Sequence, residues 1–242
     1  FVAIGSQIVT EALSERNKGG MPPTIAGSIS VPNAVPELVN IGINPPRKFP
    51  VNIVSHVPQT SYEKVVDLLL KVRPSVKKIG IIYNESELNS NNMRISIEKC
   101  IRKAGAQPLL EVVTTPEDVS KVTKELLRLG ADAIIIPHDK SATAKASTVA
   151  KLCNAQNVLT ASLDESIIKD GVMFAVSVPY AEIGKRIGEV ILEAEDSHVD
   201  LKDMEMITIN ESDLRIYVNS KILVQKGIKV SEKIVNLPVV KR

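Results

Sequence analysis

The chain has no tryptophan, and four tyrosines with three phenylalanines bring aromatic residues to only 3% of its 242 positions. Stacking platforms of the kind that hold sugar rings are therefore scarce. Cysteine is rarer still. Cys100 and Cys153 each fall in a stretch of helical periodicity, and two thiols with no Cys/His cluster around them cannot build a structural zinc site. Both read as small buried apolar residues. Histidine is limited to His56, His138 and His198, and no Gly-x-Ser-x-Gly elbow marks a serine nucleophile. Neither the Gly-rich dinucleotide fingerprint nor the phosphate-binding loop of nucleoside triphosphatases occurs, so no cofactor is expected. A charge excess of one sign is also missing: 30 basic residues face 28 acidic ones. The basic residues stand beside acids, as in Glu98-Lys99 and Lys124-Glu125, which describes a solvated surface and not a nucleic-acid footprint. No apolar run approaches the ~20 residues of a membrane-spanning helix.

What is present is an ordinary globular balance, 44% hydrophobic and 24% charged, with a clear βα rhythm. Residues 78–83 are a continuous apolar run typical of a strand covered on both faces. After a polar stretch at 84–92, Met93, Ile97, Cys100, Ile101 and Ala104 share one helix face, and Gly105 is placed to stop it. A strand at 108–113 leads to Thr115-Pro116-Glu117-Asp118, a strong helix start in front of Val119, Val122, Leu126 and Leu129, and Gly130 ends that helix. Strands at 132–137, 158–161 and 172–176 follow, with a helix at about 142–153 and a short helical piece near 165–169. This alternation predicts right-handed crossovers and a parallel sheet.

The first fifty residues predict part of a second such unit, with strands at 1–5 and 23–30 and a helix at 7–16. A proline-rich loop at 43–50 precedes a helix at 61–72. A chain rarely opens inside a buried strand, and two strands make a poor sheet, so further residues are expected upstream of Phe1. Beyond Val178-Pro179 the sequence predicts a long helix carrying Ile183, Ile187, Val190 and Ile191. It then predicts β-like segments at 204–209 and 214–218, and a helix capped by Asn219 that ends at Gly227. The fold class is α/β in two units, 1–56 with about 178–200 and 57–177 with about 201–242.

In open parallel sheets ligands bind at the carboxyl ends of the strands. There the chain offers Tyr83-Asn84-Glu85-Ser86-Glu87-Leu88-Asn89-Ser90, rich in groups that cradle an anion at a helix start and equally suited to plain capping. The next edges carry Pro137-His138-Asp139-Lys140-Ser141 and Ser162-Leu163-Asp164-Glu165-Ser166. Their carboxylates can receive a ligand ammonium or cap the following helix. His138 beside Asp139 has the makings of an acid–base pair, although a single edge histidine more often only hydrogen-bonds.

The segment Val76-Lys-Lys-Ile-Gly-Ile-Ile-Tyr-Asn-Glu-Ser-Glu-Leu-Asn-Ser90 resembles one family of ABC-transporter substrate-binding proteins, the group with tryptophan- and tyrosine-type importers. The resemblance extends through Gly130–Asp139, Asp164–Gly171, Val178–Gly188 and the tail with Val218-Asn-Ser-Lys and Gly227-Ile, from Phe1 to about Val235. It implies a type I periplasmic-binding fold of two Rossmann-like lobes with parallel sheets and ligand in the cleft. It also implies a membrane permease as partner, an extracytoplasmic setting with or without a lipid anchor, and no catalysis. In that family two further βα units normally precede the strand that Phe1 resembles, so the first lobe is expected to be incomplete.

Carried over residue by residue, the resemblance marks Ser6, Gln7 and Ser30 in the first lobe. In the second it marks Tyr83, Asn84, Ser86, Asn89, Ser90, Asp139, Asp164 and Glu165. Glu85 replaces a usual proline, and Val31-Pro32 stands where an Asp-Pro is usual. The implied ligand is an amino acid or a similar small solute. Its carboxylate would meet Ser6, Asn89 and Ser90, its ammonium Asp139 or Glu165, and Tyr83 would form a wall. Two alternatives share the fold: a ligand-sensing domain of a receptor or regulator, and a small-molecule enzyme using Asp164 or His138.

Overall fold

The computed structural model describes residues 2–4, 25–29, 53–55, 60–196, 210–230 and 237–242. The expected helix at 7–16, the loop at 43–50 and the β-like stretch at 204–209 lie outside them, as do Ser6, Gln7 and Ser30. The chain divides into two compact units, Phe1–Pro58 with Val178–Asp213 and Gln59–Ser177 with Leu214–Arg242.

In the first unit, strands β1 (Val2–Ile4), β2 (Ile25–Ile29) and β3 (Ile53–Ser55) form a parallel sheet in that order. The sequence reading had two strands here and missed β3, which is only three residues long. The long helix of this unit, Tyr180–Asp196, lies against β2 and β3. Its Ile183, Ile187 and Val190 are buried at helical spacing, as the periodicity predicted.

The described residues of the second unit form seven strands. In chain order they are β4 (Lys78–Tyr83), β5 (Gln107–Val112), β6 (Ala133–Ile136), β7 (Leu159–Ser162), β8 (Phe174–Ser177), β9 (Arg215–Val218) and β10 (Val239–Lys241). Across the sheet the order is β10-β9-β8-β7-β6-β4-β5. From β5 to β8 every pairing is parallel, whereas β8 and β9 run antiparallel. The all-parallel expectation fails at that edge. The chain leaves the unit after Ser177 and re-enters at Leu214, so no local crossover helix dictates the direction of β9.

The helices of this unit that precede β8 are α1 (Thr60–Val72), α2 (Leu88–Lys103), α3 (Val119–Arg128), α4 (Lys140–Ala144) and α5 (Ala146–Ala155). The single helix read at 142–153 is in fact α4 and α5, broken at Lys145. α6 is Tyr180–Asp196 of the first unit, and α7 is Ser220–Lys226, capped by the Asn219 side chain on the Ile222 N–H and ended by Gly227 at φ 63°.

Side chains of a strand alternate between faces. Gly80, Ile82, Ile134 and Ile136 face α3 and α5, where they join Val122, Leu126, Val149 and Cys153 in one buried cluster. Ile79, Ile81 and Ile135 take the other face, on the side of α1 and α2. A β-carbon added at Gly80 would stand 3.0 Å from Leu126, so the glycine lets α3 approach the sheet. Cys153 is buried and Cys100 half-buried, and both are free thiols. None of the described helices is long and apolar enough to cross a membrane.

Candidate functional site

Strand order decides where a site can form. β4 connects outward to β5, and the chain then returns to place β6 on the other side of β4. The loops after β4 and β6 therefore diverge from a common crevice, the topological switch point at which open α/β sheets bind ligands.

Both loops carry polar side chains, and these are joined to one another. Ser90, fully buried, donates from Oγ to Asp139 Oδ2 at 2.7 Å and accepts from the Asn84 N–H at 3.0 Å. Asp139 is 2% exposed, and its Oδ1 caps α4 by accepting from the Ala142 N–H at 2.8 Å. One hydroxyl and one carboxylate thus tie the end of β4, the first turn of α2 and the start of α4. Two further bonds cross the same gap, Asn89 Nδ2 to the His138 carbonyl at 2.9 Å and the Lys140 N–H to Glu87 Oε2 at 3.3 Å.

Outside this buried tie lies a rim. Asn84 Oδ1 accepts from the Ser86 N–H at 2.9 Å, which folds residues 84–86 into a tight turn with Glu85 and Ser86 exposed. Tyr83 is 8% exposed, with the Arg94 guanidinium 5.2 Å from its ring centre and its hydroxyl 3.4 Å from Glu85. No side chain caps the start of α2, so the positive end of that helix faces the rim.

The loop after β7 borders this edge as well. Asp164 accepts from the Ser166 N–H at 2.8 Å, opening a 3-10 helix over Glu165–Asp170, and Ser162 Oγ bonds the Ile136 carbonyl at 2.8 Å. His138 Nδ1 stands 3.8 Å from Asp164 Oδ2. Burial holds the His138 pKa below the ordinary value of 6.5, against the opposing pull of Asp164. His138 is therefore a neutral imidazole at neutral pH.

A pH dependence follows from that burial. With its folded pKa lowered, His138 takes up a proton more readily in the unfolded chain, so stability falls as pH drops below about 6.5. The stability difference between the native chain and His138→Gln should shrink steadily between pH 7.5 and 5 in urea titrations. Parallel curves would show that His138 is equally easy to protonate in both states.

The sequence-derived residues thus separate. Asn84, Ser90, Asp139 and Asp164 are buried within the loops, while Ser86 is exposed and Asn89 partly so. Glu165 turns back toward the sheet, where it accepts from the Tyr217 hydroxyl and lies 3.8 Å from Arg242. Reasoning from the sequence gave no role to Tyr217 or Arg242. The apolar run Leu237-Pro238-Val239-Val240 is the signal that would have flagged β10. Among the described residues no group of three His, Cys, Asp or Glu is arranged to hold a metal ion.

A protein-family model described as "ABC transporter substrate binding protein" matches residues 31–240. A tyrosine-binding protein of Clostridioides difficile is 24% identical over 156 residues, 64% of this chain and 45% of that relative. The chain thus spans less than half of that curated relative's length. Among solved structures, a conserved domain protein from Vibrio cholerae superposes with a TM-score of 0.81 at 17% identity, covering 100% of this chain and 77% of that one. A Streptococcus pneumoniae protein solved with L-Trp, an ABC domain, gives 0.80 at 20% identity over 99% and 80% of the two chains. Likeness at that level shows a shared fold, the type I periplasmic-binding fold.

Proposed function

The chain belongs to the ABC transporter substrate-binding protein family, and from that premise we propose that it captures a free amino acid outside the cytoplasm and delivers it to a membrane permease. The observation that carries this reading is the crevice between the loops after β4 and β6. There the uncapped start of α2 lies beside Ser86 and Asn89 on a rim stiffened by the Ser90–Asp139 tie. Backbone N–H groups at a helix start favour a carboxylate. The nearby acids Glu87, Asp139 and Asp164 favour an ammonium group, so the edge suits a zwitterion. Tyr83, Asn84, Ser90 and Glu165 contribute to the same proposal as supports and walls, and Ser6, Gln7 and Ser30 belong to it on sequence grounds alone. The names of two similar proteins, one tyrosine-binding and one solved with L-Trp, support an aromatic amino acid as the first ligand to try.

The test is a thermal-shift panel of the twenty amino acids followed by calorimetry. A true ligand at a hundredfold excess over its dissociation constant stabilises the protein by about 2.7 kcal/mol, and tyrosine or tryptophan is expected to lead the panel. No shift with any amino acid in the panel would overturn the assignment.

A further inference from the structure

Glu165, Tyr217 and Arg242 form a cluster that the proposed capture of ligand does not use directly. Tyr217 sits on β9 at 2% exposure, and its hydroxyl donates to the Glu165 carboxylate. The Arg242 guanidinium lies 5.3 Å from the Tyr217 ring centre and 3.8 Å from Glu165 Oε2. Arg242 is itself held by its backbone, donating to the Val218 carbonyl at 3.0 Å and accepting from the Ser220 N–H at 3.1 Å. The far end of the 3-10 helix is fastened too, because Asn219 Nδ2 donates to the Ile168 carbonyl at 2.9 Å. Between these anchors the helix has little freedom, and the residue immediately before it is Asp164.

We propose that Glu165, Tyr217 and Arg242 are positioning residues, a clamp that fixes Asp164 on the carboxyl edge by holding the first residue of the 3-10 helix against β9 and the residue after β10. A carboxylate buried at 11% side-chain exposure needs donors. Tyr217 supplies one, and the Arg242 guanidinium 3.8 Å from Oε2 supplies opposite charge, so Glu165 is seated by the sheet and Asp164, one peptide bond away, inherits that placement. The clamp couples the loop after β7 to two strands that join the unit only after the chain returns at Leu214. Its effect on affinity rests on the function proposed above; its effect on Asp164 does not.

His138 reports where Asp164 stands, since Nδ1 is 3.8 Å from Oδ2. The chain has three histidines, so the His138 ring resonances can be assigned by their loss in His138→Gln. Asp164→Asn gives the spectrum expected when the carboxylate's charge is gone. Tyr217→Phe, which removes only the hydroxyl, is expected to move the His138 resonances part of the way toward that reference. Arg242→Gln, a change at a half-exposed position, should do the same should Tyr217→Phe fold poorly. Glu165→Gln keeps an acceptor for Tyr217 but loses the charge facing Arg242, so it should move the resonances no further than Arg242→Gln does, while Glu165→Ala should move them further.

In parallel, Tyr217→Phe should weaken L-tyrosine or L-tryptophan binding about fivefold in calorimetry. His138 resonances unchanged in both Tyr217→Phe and Arg242→Gln would overturn the clamp. A native chain that binds no amino acid would overturn the function proposed above, and the resonances would still decide the clamp.

Discussion

Asp139→Ala is expected to destabilise the second unit by about 2–4 kcal/mol, because two separate interactions disappear from a site that water does not reach. Loss of a helix cap costs about 0.5–2 kcal/mol, and the Asp139 carboxylate is the acceptor that caps α4. The bond from Ser90 ends on the same carboxylate at 2.7 Å, and hydrogen bonds to charged groups contribute about 1.5–3 kcal/mol. Ser90 is fully buried, so its hydroxyl would be left without its acceptor. Ser90→Ala keeps the cap on α4 but takes the donor from the buried Asp139 Oδ2 and the acceptor from the Asn84 N–H, so it should cost about 1–3 kcal/mol. Urea unfolding followed by tyrosine fluorescence isolates the unit, because Tyr62, Tyr83 and Tyr217 belong to it and only Tyr180 to the other. Should Asp139→Ala cost under 1 kcal/mol, the two loops would have to be held together by something other than this tie.

The larger effect is expected in the sheet itself. Phe174→Ala should cost about 3–5 kcal/mol, the usual range for emptying a buried aromatic site. Phe174 has no exposed surface and lies on β8, paired with Ala161 on one side and Val218 on the other. It joins the parallel part of the sheet to the antiparallel edge, so the cavity opens where neither neighbour can collapse freely. Phe174→Leu, which keeps most of the volume, should cost under about 1.5 kcal/mol. A loss of 3–5 kcal/mol takes a large share of a typical domain's 5–15 kcal/mol. The same fluorescence titration measures it, and a cost below 2 kcal/mol would mean the core around β8 rearranges to fill the gap.

Much of the fold was legible because local patterns sufficed. The run from Lys78 to Tyr83, the face made by Met93, Ile97 and Ile101, and the stops at Gly105, Gly130 and Gly227 each depend on neighbours a few residues away. All three glycines have positive φ, a conformation that punishes any β-carbon. β3 and β10 were missed because three residues carry too little periodicity to stand out. The break at Lys145 had no sequence signal, and nothing in the structure explains it.

The candidate site was half legible. Asparagine, serine and acid side chains before helix starts drew attention to three loops, and two of these loops meet across the switch point. Whether a given polar side chain faces solvent or another loop was not readable, since capping and ligand contact call for the same residue types. Glu165 illustrates this: adjacent to Asp164 in sequence, it points to Tyr217 and Arg242, partners 52 and 77 positions later along the chain.

By itself the sequence determined the alternation of strands and helices, the identity of the buried faces and the family to which the chain belongs, all of them properties of spacing and residue type along one dimension. Only the tertiary structure decided the order of strands, hence which loops share a crevice, and the burial that turned Ser90 and Asp139 into a tie and kept His138 neutral. The reason is physical. Periodicity acts over a turn of helix or a pair of strand residues, whereas strand order and desolvation arise only when segments distant along the chain are packed against one another.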